Sequence, residues 1–361
     1  MIKIKILINL AFILFSASSF AQKDAKFSEE MKQEMCHKVK AAAQHAWQGY
    51  KKYAWGADDL KPLTKEPKTW YKSSMLMTPV DAFDTFTLLG LTAEAGEAKE
   101  LILSRLNFNI DNDVLVFEIT IRLLGGLITA FELDGNKKFL ALATDLANRL
   151  MPAFNSATGM PYRYVHLQTG KTRDGINNPA EIGTLMMEFG KLSKLTGDNT
   201  YYNAAKKGMM FLYTNRSVLD LVGEQIDVQT GKWVNSRSQI GAYIDSYYEY
   251  LYKSWLLFGD ADFKVAFDTH NKAIKKHLIH KTPKGWFLHQ VDMNNGKITG
   301  TTYGALEAFY AGLCAFAGDV ETGRQIQEAN YYMWTRFNIE PEEFNFIADT
   351  ITSAYYILRP E

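Results

Sequence analysis

Glu118 and Arg122 stand four residues apart in the run from Val116 to Leu127, a carboxylate and a guanidinium in an otherwise apolar stretch. On a helix, positions four apart share a face, so the two would point together from a segment whose Phe117, Ile121, Leu124 and Leu127 should be buried. A local ion pair on a partly exposed helix would explain a single case, but the arrangement recurs. Glu181 opens the apolar run from Ala180 to Phe189, and Asp245 opens the run from Gly241 to Leu251. Carboxyl groups that hold or pass a proton are the usual agents of general acid–base catalysis, and three at equivalent places could form one acidic site.

The runs also close alike, in Leu133-Asp134-Gly135-Asn136, Thr196-Gly197-Asp198-Asn199, Phe258-Gly259-Asp260-Ala261 and Ala317-Gly318-Asp319-Val320. The closing aspartates are spaced by 64 (134 to 198), 62 (198 to 260) and 59 (260 to 319) residues, an internal repeat. A period near 60 fits two helices and their turns, with Gly ending the first. Each acid precedes its closing Asp by 15 to 17 residues (118 to 134, 181 to 198, 245 to 260). If the helix pairs form a ring, Glu118, Glu181 and Asp245 converge on one mouth.

The elements that must position these acids are helices. Lys137 to Leu150, Tyr201 to Leu212 and Phe263 to His277 carry apolar residues at spacings of three and four with lysines opposite, and read as the outer helices of the pairs. The 361 residues are 47% hydrophobic and 13% aromatic, enough for a large core; with nine prolines and no long alternating β-branched runs, an all-α fold is expected with minor strands. No low-complexity linker divides the chain. Forty basic residues balance forty acidic ones, which argues against a nucleic-acid partner. Seven Trp and nineteen Tyr suit the faces of neutral sugars, although most should be core.

Residues 1–21 read as a signal peptide: Lys3 and Lys5, an apolar stretch from Ile6 to Phe15, and small residues ending at Ala21. The apolar part is too short to span a bilayer comfortably, so an exported protein beginning near Gln22, periplasmic or secreted and without a stable membrane span, is expected. Cys36 and Cys314 could pair in such a compartment, but Cys314 sits in an apolar run and reads more readily as a small core residue. Three other motifs carry no chemistry. Gly170-Lys171-Thr172 lacks the earlier glycine of a phosphate-binding loop, which would fall at Val165. His277 and His280 have lysines rather than acids as neighbours, and Ser246 has no strand-turn glycines around it.

Taken in order, the blocks from Tyr53 to Leu63, Asp81 to Thr85, Phe117 to Gly126, Leu150 to Asn155, Ala180 to Thr184, Ile244 to Tyr250 and Leu358 to Glu361 resemble glycoside hydrolase family 47, the class I α-1,2-mannosidases. Within it they are most similar to the ER degradation-enhancing mannosidase-like branch. The resemblance implies an (αα)7 barrel over residues 22–361 and an inverting, calcium-dependent hydrolysis of terminal α-1,2-linked mannose from N-glycans or mannans by a monomer. It implies that Glu118 is the general acid, Asp245 a second carboxylate on the acid side and Glu361 the general base. Arg122, Glu181 and Arg359 would line the mannose pocket. Inversion needs an acid and a base on opposite faces of the sugar with room for water between them. A hard cation such as Ca2+ suits sugar hydroxyls as ligands.

Members of the family continue past the Arg-Pro-Glu block and supply a calcium-ligating threonine from their C-terminal part. A barrel C-terminally incomplete in this chain, and therefore inactive in this form, is the resulting expectation. Tyr243, two positions before Asp245, stands where relatives carry residues that influence which mannose is trimmed. Two other classes compete: a mannose-glycan binding or accessory protein without hydrolysis, and another α/α-barrel enzyme such as a sugar epimerase or uronyl hydrolase. An acidic substrate of the latter would be repelled by a carboxylate-rich mouth.

Overall fold

The structure, a computed structural model, describes residues 27–357. The segment 1–21 expected to be a signal peptide, together with Arg359 and Glu361, lies outside the described residues. By its internal contacts the chain divides into residues 1–52 and 53–361. The first unit is built on helix α1 (Glu29–Ala54), on which Trp47 and Tyr50 stack with ring centroids 5.2 Å apart.

Among the described residues, five helix pairs make up the second unit. They are α2 (Met77–Leu88) with α3 (Thr92–Arg105); α4 (Val116–Ile119) and α5 (Gly125–Asp134) with α6 (Lys137–Leu150); α7 (Pro179–Gly183) and α8 (Met186–Thr196) with α9 (Thr200–Thr214); α10 (Asp245–Phe258) with α11 (Ala261–His277); and α12 (Phe309–Phe316) with α13 (Val320–Phe337). The leading helices touch one another in sequence, α2 against α5, α5 against α8 and α8 against α10. The trailing helices α6, α9 and α11 lie where the sequence placed outer helices. Tyr252 of α10 meets Phe316 of α12 edge to face, with centroids 5.4 Å apart.

Within each repeat the turn has one physical recipe. A glycine in the left-handed region ends the leading helix (Gly135, Gly197, Gly259 and Gly318, φ 77°, 78°, 71° and 90°). The next residue then caps the trailing helix or its first turn. Asn136 accepts from Lys138 N, Asp198 from Thr200 N, Asp260 from Asp262 N and Asp319 from Thr322 N. The capping residue of the first of these turns is Asn136, not Asp134, which corrects the register read from the sequence. Cap to cap, the intervals are 62, 62 and 59 (136 to 198, 198 to 260, 260 to 319).

Strands are confined to connections and form six antiparallel sheets of two or three short strands among the described residues. One joins β1 (Asp113–Leu115), β2 (Tyr164–His166) and β3 (Thr172–Arg173), and β1 runs straight into α4. Several of these connections lead directly into the starts of leading helices, where the acids stand.

Candidate active site

Glu118 is the third residue of α4, Glu181 the third of α7 and Asp245 the first of α10, so all three occupy the opening turn of a leading segment. The first N–H groups of a helix have no partner within it. Here a carbonyl from the following repeat supplies one: Val116 N donates to Arg163 O (2.9 Å) and Ala180 N to Tyr243 O (2.9 Å). The same device recurs at Ala305 N and Glu342 O (3.4 Å). Each opening turn is thereby fastened to the loop that precedes the next one. Thr184 Oγ1 donates to Ser246 Oγ (2.6 Å), and the Ser246 amide donates to Asp245 Oδ1 (2.6 Å). The turns bearing Glu118, Glu181 and Asp245 stand side by side at one end of the leading helices, as the repeat predicted.

The segment holding Glu118 and Arg122 departs from the expected regular helix. Between α4 and α5, Thr120–Leu124 forms a π turn. The extra residue shifts the phase of everything before it, so Phe117 and Ile121 are only half-buried while Val116, Ile119, Leu123, Leu124 and Leu127 fill the core. Glu118 and Arg122 still meet, Arg122 Nε donating to Glu118 Oε2 at 2.8 Å. Arg122 also reaches Asp81 Oδ2 at 3.5 Å and lies 5.3 Å from the centre of the Trp70 ring. Burial works against its charge, but Glu118 and Asp81 outweigh that and hold the guanidinium firmly protonated. Burial raises the Asp81 carboxyl above its ordinary range, partly offset by Arg122. Tyr71, whose hydroxyl accepts from Leu115 N (3.2 Å), is shifted upward by burial and by its proximity to Glu118.

Glu181 is held by a partner the sequence did not single out. Arg163 grips both of its oxygens, Nε to Oε2 and Nη2 to Oε1, each at 2.8 Å. One residue thus pins the α4 turn through its carbonyl and orients Glu181 through its side chain. On the other side, Tyr243 adopts φ 75°, rare for a residue with a side chain. Its carbonyl is the acceptor for Ala180, and its half-exposed ring borders a cavity of about 270 Å³ that Glu224, Arg237, Gln239 and Glu307 also line.

Glu307 is the fourth acid of the series and was missed. It precedes its cap residue by only 12 residues (307 to 319), because the leading helix there is short and opens with a 3-10 turn, Ala305–Ala308. The recurring Gly-Asp closure at 318–319 was the signal that could have prompted a search for it. Gly304 N donates to Glu307 Oε2 (3.0 Å), and a Cβ at Gly241 would fall 2.6 Å from Oε1. Burial pushes this carboxyl up to about 7, with Glu343 and Asp245 adding to the rise.

Comparison with known proteins now decides the family. The profile of glycosyl hydrolase family 47 matches residues 42–361. The chain belongs to that family. It is 36% identical over 373 residues to "Alpha-mannosidase I MNS4" of Arabidopsis thaliana, covering 99% of this chain and 58% of the relative. It is 35% identical over 353 residues to "Mannosyl-oligosaccharide 1,2-alpha-mannosidase IB" of Mus musculus (90% and 55% covered) and 36% over 341 residues to the mouse "ER degradation-enhancing alpha-mannosidase-like protein 2" (90% and 58%). The structure superposes on an α-1,2-mannosidase from Trichoderma reesei with a TM-score of 0.78 at 26% identity, over 88% of this chain and 72% of that one. The family 47 fold is therefore the expected all-α, (αα)7 type. A sugar epimerase from a ruminal bacterium, at 15% identity and a TM-score of 0.56, shares the fold alone. The chain spans between 55 and 58% of the length of these three curated relatives.

The fit of calcium is limited. Among the described residues no group of three or more His, Cys, Asp and Glu side chains is disposed to hold a metal ion. Glu118 is engaged by Arg122, Glu181 by Arg163 and Glu307 by the Gly304 amide, so these carboxylates do not by themselves make a calcium site. Cys36 is an exposed free thiol and Cys314 a buried one, in keeping with the core reading of Cys314. No helix among the described residues is long and apolar enough to cross a membrane.

Proposed function

We propose that the protein is an exported glycosidase that removes terminal α-1,2-linked mannose from N-glycans or mannans with inversion. The observation that supports this most is the meeting of the Glu118, Glu181 and Asp245 turns at one mouth of a family 47 fold, with Arg122 and Arg163 holding two of the acids in fixed geometry. In this reading Glu118 protonates the glycosidic oxygen as the bond to the anomeric carbon breaks. Water attacks that carbon from the opposite face and gives its proton to Glu361. Asp245 supports the acid side, while Arg122, Glu181 and Arg359 hold the ring. Calcium dependence belongs to the reading through family membership, and no step above passes through the metal.

The test uses the protein expressed from its natural gene and α-1,2-mannobiose as substrate. The leader should be removed so that the product begins near Gln22. The first mannose released should be the β-anomer by NMR, with release lost in EDTA and restored by calcium. α-Mannose as first product would overturn inversion, and unchanged release in EDTA would overturn the calcium requirement. Tight disaccharide binding by calorimetry with no release would favour the non-hydrolytic binding protein instead.

A further inference from the structure

Glu188 is a buried-type acid that the proposed chemistry does not use. It lies on α8, seven residues after Glu181, and α8 packs between α5, which continues the segment of Glu118, and α10, which opens on Asp245. Toward α10, Tyr250 Oη donates to Glu188 Oε1 at 2.9 Å. Toward α5, a Cβ placed on Gly125 would lie 3.5 Å from Glu188 Cγ and 3.7 Å from the carbonyl oxygen of Thr120. Gly125 is the first residue after the π turn and Thr120 the first within it. Glu188 therefore lies beside Gly125, where the irregular segment that carries Arg122 gives way to α5. Although the residue keeps some exposed surface, its Oε2 is sealed from solvent and has no hydrogen-bond partner, and the same holds for Thr120 Oγ1.

We infer that Glu188 is a positioning residue, which by its bond to Tyr250 and its contact with Gly125 fixes the spacing between the helices bearing Glu118 and Asp245. Tyr250 follows Asp245 by five residues and Gly125 follows Glu118 by seven, so the link is a girdle one to two turns beneath the mouth. Keeping a carboxyl there has a physical cost, since burying a polar group without full satisfaction is unfavourable. A leucine could fill similar space, but it could not accept from Tyr250. Burial pushes the carboxyl up to about 7, with the Tyr250 hydroxyl opposing the rise, so glutamine imitates the form that predominates in mildly acidic solution. The positional claim stands on the geometry alone; only its catalytic consequence rests on the proposed function.

Hydrogen exchange followed by mass spectrometry tests it in E188Q, E188A and Y250F, read on peptides covering 116–127 and 245–251 with the outer helix at 320–337 as reference. E188A and Y250F should each speed exchange at 116–127 about five- to tenfold, the size of one lost buried hydrogen bond, leaving 320–337 within about twofold. E188Q should behave as wild type. With α-1,2-mannobiose, E188A should lower kcat about tenfold at little-changed KM, because the acid is misplaced while the sugar contacts remain. A uniform rise in exchange across all peptides, or E188Q as damaging as E188A, would overturn the inference. Should E188A not fold, E188Q and Y250F give the same decision. Exchange that responds as expected in a protein with no mannosidase activity would remove the hydrolytic reading and leave the positioning role standing; normal turnover with exchange unmoved would do the reverse.

Discussion

Glu118 enters the mouth already paired with Arg122, and Arg122 is in turn shared with Asp81 and packed near Trp70. A sugar that takes up the Arg122 donors would loosen this pair as it binds, which couples substrate entry to the state of the acid. Glu118→Gln keeps the shape and the Arg122 contact but cannot deliver a proton; turnover of α-1,2-mannobiose should fall about 10²–10⁴-fold with the dissociation constant nearly unchanged. Turnover near wild type would take Glu118 out of the acid role. The residue scale was partly legible in the sequence. Spacing alone singled out Glu118, Arg122, Glu181 and Asp245, because a repeat samples the same position several times. Arg163 was invisible to that logic: it belongs to a connection, and its partner Glu181 is 18 residues away in sequence. Glu307 escaped because its helix is shorter than its siblings.

At the scale of elements, the caps were legible and the irregularities were not. Gly followed by Asp or Asn writes a helix end and the next helix start into four consecutive residues, a local instruction that needs no tertiary context. The π turn at Thr120–Leu124 is different, since nothing in Thr-Ile-Arg-Leu-Leu forbids an ordinary helix and no local signal marks it. Strands of two to four residues likewise show no alternation to read. The closeness of α2 and α5 yields a direct test. A Cβ at Gly126 would lie 2.7 Å from Val80 Cγ1 and 3.2 Å from the Val80 carbonyl oxygen, so Gly126→Ala should force the helices apart and cost about 1–3 kcal/mol in urea unfolding. Gly312→Ala is the matched control, on α12 with nothing within 4 Å, and should be neutral or stabilise by up to about 1 kcal/mol from helix propensity. Equal effects at the two sites would show that the α2–α5 contact does not limit stability.

For the whole molecule, three buried groups set an unusual dependence of stability on pH. Glu188 and Glu307 are pushed by burial from an ordinary 4.5 up to about 7. His270 is lowered from 6.5 to about 4 by burial; it lies in the core with Nδ1 donating to the Asp220 carbonyl (2.7 Å) and Nε2 3.1 Å from the Tyr247 hydroxyl. For each acid the folded protein holds its proton more tightly than the unfolded chain. Its contribution is therefore complete below about pH 4.5 and is lost as pH rises through about 7. The histidine runs the other way: its contribution is complete above about pH 6.5 and is lost as pH falls through about 4. Between pH 5.5 and 8 each acid should cost about 2 kcal/mol of stability while His270 returns about 1, at 1.36 kcal/mol per pH unit of unmatched titration. The two acids outweigh the one histidine, so these groups make the protein less stable at pH 8 than at pH 5.5 by about 3 kcal/mol at most. Urea unfolding at the two values, in wild type and in E188Q/E307Q, isolates the effect from all other titrating groups. The double variant should be less pH-sensitive by roughly the acids' share of about 4 kcal/mol. The same pH response in both proteins would mean that these carboxyls titrate near their ordinary range and that water reaches them in the folded state.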